Sequence, residues 1–210
     1  MRERELTGRA ARRLVITMGA ALFGFFACFA SSAVAQDALM PTPSGLTPGS
    51  YLVNTYPVLI PGDDDEVGFF VRGARGMTER LSVRASLGLY NDLTYLGAMG
   101  DLMLPRKIPM DLSLSFGLHR SGFETSADIF GFDLALVGRR PVSSRFALYG
   151  GFDVDFEFPE APFDAFTRAG FVAGLDTRLL EGLRLLVEGG LGLNDRSPNY
   201  VSVGLAVRLR

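Results

Sequence analysis

The stretch from Tyr200 to Arg210, YVSVGLAVRLR, constrains the fold more than any other part of the chain. Val201, Val203, Leu205, Val207 and Leu209 are apolar at every second position, and Ser202, Gly204, Ala206, Arg208 and Arg210 stand between them. Successive strand side chains point to opposite faces, so this is a strand with one greasy side and one small or charged side. Its length suits a tilted strand that crosses a bilayer. The same rhythm runs back through the sequence. Val67, Phe69 and Val71 alternate with Gly68, Phe70 and Arg72, and Leu81, Val83, Ala85, Leu87 and Leu89 with Ser82, Arg84, Ser86, Gly88 and Tyr90. Leu96 to Leu104 oppose Tyr95, Gly97, Met99 and Asp101, and Leu112 to Leu118 oppose Asp111, Ser113, Ser115, Gly117 and His119. Phe130 to Leu136 oppose Gly131, Asp133, Ala135 and Val137, and Phe146 to Phe158 oppose Ala147, Tyr149, Gly151, Asp153, Asp155 and Glu157. Ala169 to Leu179 oppose Arg168, Gly170, Gly174, Asp176 and Arg178, and Leu183 to Leu193 oppose Arg184, Glu188, Gly190, Gly192 and Asn194. Tyr51 to Ile60 alternates weakly, and Pro57 within it suits an end or an edge better than a centre. The total is about ten strands, with eight possible, an even number as bacterial barrels require.

Alternation alone does not say which face is inside. An all-β chain of this kind could close as a soluble barrel, apolar within, or as a transmembrane one, apolar without. About five apolar side chains on each of ten strands would place roughly fifty large groups in a lumen with room for far fewer. A soluble exterior would also be rich in Lys and Glu, whereas the polar face here is mainly Gly, Ala and Ser with Arg and Asp, and Lys107 is the only Lys. Hydrophobic residues make up 48% of the 210, yet no run beyond the N-terminus is long enough for a spanning helix. The expectation is therefore an antiparallel up-and-down transmembrane β-barrel over residues 50–210, with the greasy face toward lipid.

The N-terminus reads as an export signal over residues 1–35. Arg2, Arg4, Arg9, Arg12 and Arg13 precede an apolar core from Leu14 to Ala30, and Ala33-Val34-Ala35 is a small-x-small cleavage site. An uncleaved anchor, or a lipoprotein cut before Cys28, are the alternatives; Cys28 is the only cysteine, so no internal disulfide holds the fold. Residues 36–49, with three prolines, form a periplasmic lead-in. A formal charge of −2 gives no reason to expect a nucleic-acid partner. With both chain ends in the periplasm, turns fall at 75–80, 105–109, 139–144 and 180–182, and outer loops at 62–66, 91–92, 121–126, 159–165 and 194–199. Tyr90, Tyr95, Phe123, Phe130, Phe156, Phe158, Phe163, Phe166 and Tyr200 cluster beside those loops as an expected interfacial girdle.

The polar face carries Arg72, Arg84, Arg168, Arg178, Arg184 and Arg208 against Asp101, Asp111, Asp133, Asp153, Asp155, Glu157, Asp176 and Glu188. Near-equal numbers of both signs in a narrow interior predict an Arg and carboxylate network that closes the lumen, since buried charges must pair and Arg pairs bidentately. The alternative is a charged constriction for small solutes, a porin-like pore. Asp63, Asp64, Asp65 and Glu66 make an acidic loop without the spaced ligands of a calcium loop, and no metal or cofactor is expected. His119 is the only histidine, and Ser121 lies two residues on and hence on the same face, with Glu124 and Asp128 near enough in sequence to orient an imidazole base.

His119-Arg120-Ser121 resembles the His-x-Ser pair of the lipid A 3-O-deacylase family, outer-membrane barrels that hydrolyse an acyl ester of lipopolysaccharide. The resemblance implies His119 as base and Ser121 as nucleophile; the Asn expected after the Ser is Gly122, and Gly131 stands near the place of the family's later Glu. A resemblance to outer-membrane proteases is weaker, because that chemistry pairs a His with acids and His119 has no clear Asp in register. More broadly the chain resembles the small outer-membrane barrels of the OmpA-type and OmpX-type superfamily, across about Tyr51 to Arg210. That resemblance implies a role in envelope integrity, adhesion or minor solute passage. The expectation is a monomer in a Gram-negative outer membrane with a structural or interaction role, and with outer-membrane lipid, lipopolysaccharide and the barrel assembly machinery as partners. Such barrels end on an aromatic residue that the machinery reads. Here the strand ends Arg208-Leu209-Arg210, so either Leu209 serves in that place or the signal is read differently.

Overall fold

The computed structural model describes residues 45–61, 65–90, 93–105, 109–123 and 128–209; the expected export signal, most of the lead-in, Asp63, Asp64 and Glu124 lie outside them. The strands are β1 (Tyr51–Ile60), β2 (Glu66–Gly76), β3 (Leu81–Leu89), β4 (Leu93–Met103), β5 (Asp111–Phe123), β6 (Ile129–Pro141), β7 (Phe146–Pro159), β8 (Phe166–Leu180), β9 (Leu183–Gly192) and β10 (Tyr200–Leu209). Each pairs antiparallel with its neighbour in sequence, and β10 pairs with β1 to close the barrel. Closure leaves no sheet edge, so every strand finds partners on both sides.

The face assignments follow the period of two. On β10, Val203, Leu205, Val207 and Leu209 are between 40 and 50% exposed, whereas Ser202 and Ala206 are buried. Leu118, Phe132, Phe152 and Phe158 are likewise exposed on their strands, opposite buried Ser115, Asp133, Asp153 and Glu157. An apolar exterior so extensive would be an aggregation surface in water and is the lipid-facing band of a spanning barrel.

Several local expectations change. Pro57 sits within β1 of a closed sheet rather than at an edge. Pairing of β1 with β10 runs from Tyr51 to Thr55 and resumes at Val58, skipping Tyr56 and Pro57. Pro57 has no N–H to give, and the Ser202 hydroxyl instead donates to its carbonyl at 2.6 Å. β6 continues through Arg139 and Arg140 to Pro141, so the turn is 142–145 and Arg139 is a strand residue. β5 likewise carries Ser121 inside the strand rather than in a loop. In the aromatic girdle, Phe130, Phe156, Phe158 and Phe163 are exposed as expected, but Tyr95 and Tyr200 are buried in the lumen and Tyr90 packs against that core. Their positions share parity with Met99 and Ser202, and parity decides the face.

At the end that carries the termini, residues 45–50 fold back on the sheet. The Gly49 N–H donates to the Gly76 carbonyl at 2.9 Å, and the Gly76 N–H donates to Ser50 at 3.0 Å. Gly49 adopts φ of 82°, a left-handed conformation that glycine takes without strain. Leu46 is thereby buried across this mouth of the barrel, 3% exposed.

Candidate functional site in the barrel lumen

The inward faces divide the lumen into an aromatic and aliphatic side and a charged side. On β1, Leu52, Tyr56, Val58 and Ile60 point inward and are fully buried, so the apolar face of that strand is the lumen face. Tyr56 stacks on Phe70, with ring centroids 5.4 Å apart, and Phe70 meets Tyr95 edge-on at 5.6 Å. Tyr95 in turn stacks on the His119 ring at 5.2 Å. The rings fit because inward glycines leave room for them: a Cβ on Gly88 would lie 2.3 Å from Phe70, and one on Gly174 would lie 2.3 Å from Tyr149. The Gly-rich polar face is thus a set of notches for large side chains as well as a smooth wall.

His119 is the hub of the charged side. Asp133 Oδ1 lies 2.5 Å from its Nδ1, and Glu157 Oε2 lies 3.0 Å from its Nε2. Asp133 comes from β6, opposite Gly117 rather than opposite His119 itself. Glu157 comes from β7 and faces Gly131, which is the residue opposite His119. Gly131 makes the bridge possible, since a Cβ there would stand 2.1 Å from the imidazole Cε1. Arg168 closes the group with Nη2 3.3 Å from Glu157 Oε1, and both side chains are nearly inaccessible. His119 therefore has acids of the right chemistry, although none stands in register with it. They arrive from a diagonal neighbour and from two strands away.

The hydrolytic arrangement does not assemble around that histidine. Ser121 is buried on the same face as expected. Both imidazole nitrogens are engaged by carboxylates, which leaves none to take a proton from a serine hydroxyl. Asp128, a possible orienter by sequence proximity, instead pairs with Arg120 on the outer face of the barrel. Glu124 lies outside the described residues.

Toward the terminal end, the other expected network residues form two groups. Arg84 stands 3.5 Å from Asp101, which accepts a 2.6 Å hydrogen bond from the Ser115 hydroxyl. Beside them a cavity of about 10 Å³, roughly the room one water needs, is lined by Leu46, Arg84, Asp101, Ser113 and Ser115. Asp176 accepts from Arg184 at 2.7 Å and from Arg139 at 3.1 Å, and Arg139 also lies 3.9 Å from Asp111. Arg139 was concealed by its expected place in a turn. Elsewhere Arg72 donates to Ser86 Oγ at 3.0 Å and lies over the Tyr56 ring, and Glu188 accepts from the Tyr200 hydroxyl at 2.7 Å. Asp153 is buried, and Asp155 faces inward opposite Asp133 and Arg168. Two expected members stand apart. Arg178 is exposed at the end of β8, beside the register shift between Arg178 and Leu180. Arg208 donates to the Gly45 carbonyl at 3.3 Å, so it ties down the lead-in backbone where a lumen carboxylate was expected.

No family model matches the chain, and no curated protein matches it. Solved structures do. An outer-membrane channel from Pseudomonas putida F1 superposes with a TM-score of 0.57 at 9% identity, covering 80% of this chain and 99% of its own. The NanC porin does so with a TM-score of 0.50 at 6% identity, covering 75% of this chain and 99% of its own. Ail of Yersinia pestis superposes with a TM-score of 0.42 at 12% identity, covering 77% and 99%. At such identities the likeness is one of fold. A closed ten-stranded antiparallel sheet with an apolar exterior is the fold of the outer-membrane β-barrels, and the cell outer membrane is where such a barrel resides.

Proposed function

We propose that the protein is a monomeric integral outer-membrane barrel of the small OmpA-like and OmpX-like kind, with a structural or interaction role in the envelope and a lumen closed by its own side chains. The observation that carries this reading is the burial of Arg72, Tyr56, Tyr200 and Phe70, all inward and each less than 2% exposed. Such large groups at full burial leave no water column beside them, and the ion pairs around Glu157, Asp101 and Asp176 hold the charged side in place. Contacts with lipopolysaccharide and the assembly machinery belong to the same reading. Single-channel recording in a planar bilayer tests it. The expected trace is flat, and stable ohmic steps would overturn the closed lumen.

A narrow pore is the second reading. It draws on Asp133, Asp153, Asp155 and Glu157, which crowd two adjacent strands and would favour cations in any open passage. A cation-selective reversal potential in the same recording would support it. A lipid A esterase built on His119 and Ser121 is the third, and the occupied imidazole nitrogens weigh against it. Lipid A from cells producing the wild type and Ser121→Ala forms is expected to give the same acyl pattern by mass spectrometry; loss of one acyl chain in the wild type alone would restore the enzyme.

A further inference from the structure

The mouth at the terminal end is closed in a different way from the lumen behind it. Inside the barrel, the large buried side chains belong to strands that the closed sheet holds on both edges. At the mouth the buried group is Leu46, which belongs to the segment 45–50 ahead of β1. Leu46 lines the cavity beside Arg84 and Asp101 together with Val137. Val137 is on β6, five strands from β1 whichever way round the ten-stranded sheet is followed. The segment therefore lies across the opening and not along its rim.

Its attachments sit at its two ends. Arg208 of β10 donates to the Gly45 carbonyl at 3.3 Å, while Gly49 donates to Gly76 of β2 at 2.9 Å and Gly76 donates to Ser50 at 3.0 Å. The Thr47 carbonyl rests in a notch at Gly76, where a Cβ would stand 2.3 Å from it. Gly45 and Gly49 take φ of 63° and 82°, so a left-handed turn stands at each end. Of the three residues between these glycines, Thr47 and Pro48 are exposed and Leu46 alone is buried. A segment anchored by one buried side chain and a few hydrogen bonds opens far more readily than a strand bonded along both edges.

We propose that residues 45–50 are a lid on the terminal-end mouth, which swings away on Gly49 while the barrel stays folded. Beneath it lies a polar vestibule walled by Ser82, Arg84, Asp101, Ser113 and Ser115. Shut, the lid leaves room there for about one water. Open, it presents one cation, one anion and the three hydroxyls to small polar solutes from that side of the membrane. This goes beyond the reading of the lumen as closed, because Tyr56, Phe70, Arg72 and Tyr200 lie deeper in the barrel and do not depend on the lid.

The test is thiol accessibility in the full chain carrying Cys28→Ser, in lipid nanodiscs that leave both mouths open to solution. Ser115→Cys then places the only thiol in the vestibule, at a position 3% exposed, and Ser121→Cys places it toward the opposite mouth, at a position 4% exposed. The probe is a quaternary-ammonium methanethiosulfonate, which does not cross lipid, and its rate is read by intact-protein mass spectrometry. Leu46→Ser is expected to speed modification of Ser115→Cys by about tenfold or more, the scale on which losing one buried leucine shifts an opening equilibrium. The rate at Ser121→Cys should not change. Gly76→Ala, which pushes the Thr47 carbonyl from its notch, should act in the same direction, and it decides the matter if Leu46→Ser lacks the heat-shifted band of a folded barrel. An unchanged rate at Ser115→Cys overturns the lid, because Leu46 then does not guard the vestibule. Equal acceleration at both thiols also overturns it, because the whole barrel has then loosened.

Discussion

Replacing Glu157 with alanine is expected to destabilise the folded barrel by about 3–5 kcal/mol, the usual cost of removing one member of a buried charged group. Glu157 is 1% exposed and serves two partners at once, His119 Nε2 at 3.0 Å and Arg168 Nη2 at 3.3 Å. Its loss takes a shared acceptor from both, at a site shut off from bulk water. The second carboxylate on the histidine, Asp133, cannot move across to help, because its Oδ1 is already 2.5 Å from Nδ1 on the other side of the ring. The measurement is a reversible urea titration in detergent micelles, read by the heat-modifiable gel shift and by tyrosine fluorescence. Glu157→Gln, which keeps one oxygen acceptor and the volume, should cost less than Glu157→Ala. The double change Glu157→Ala/Arg168→Met should cost less than the sum of the singles, because it removes the stranded cation together with its acceptor. A cost below about 1 kcal/mol for Glu157→Ala would show that the cluster contributes little to stability.

The architecture could be read from the chain because the barrel repeats a two-residue period that sequence displays directly. Val201 to Leu209 face outward as their spacing dictates, and every strand from Val67 onward keeps the expected face. What parity could not supply is reach. His119 and Asp133 are diagonal neighbours, and Glu157 crosses an intervening glycine on β6, so the hub depends on Gly131 having no side chain. A glycine in a strand reads in sequence as weakness or smoothness; the ring that occupies its notch belongs to another strand. The same holds for the aromatic side of the lumen. Tyr95 and Tyr200 have lumen parity, but their amphipathic chemistry suits an interface equally well, and chemistry was the misleading guide. Turn boundaries erred in the way local signals do. Arg139-Arg140-Pro141 looks like a turn, yet β7 offers partners as far as Ala147 and the ladder continues. Arg178 and Arg208 share the parity of the network but lie near strand ends, where the barrel mouth presents solvent and the lead-in backbone in place of carboxylates.

Gly190→Ala, a single added methyl, is expected to cost about 3 kcal/mol, although alanine in a strand normally gains roughly 0.5–1 kcal/mol over glycine. Gly190 pairs directly with Tyr200, whose ring lies across it. A Cβ on Gly190 would be 2.0 Å from Tyr200 Cε1 and 2.6 Å from Cζ, distances no packed atoms sustain. The ring must leave, and with it goes the hydroxyl that donates to Glu188 at 2.7 Å. Both side chains are 1% exposed, so an intact tyrosine has no vacant position nearby and Glu188 loses a neutral donor at a site closed to water. The steric origin makes the prediction sharper than a stability change alone. In a Tyr200→Ala background, Gly190→Ala should cost about 0–1 kcal/mol, because the notch then has no ring to expel, giving a coupling energy of about 2 kcal/mol or more. Denaturant midpoints of the four proteins in that cycle measure it. Equal costs of Gly190→Ala in the two backgrounds would mean that the glycine is required by its own backbone and not by the ring. An inward glycine on β9 is then not a vacancy in the lumen wall but half of a side-chain contact, and the packing of the lumen depends on it as much as on any arginine.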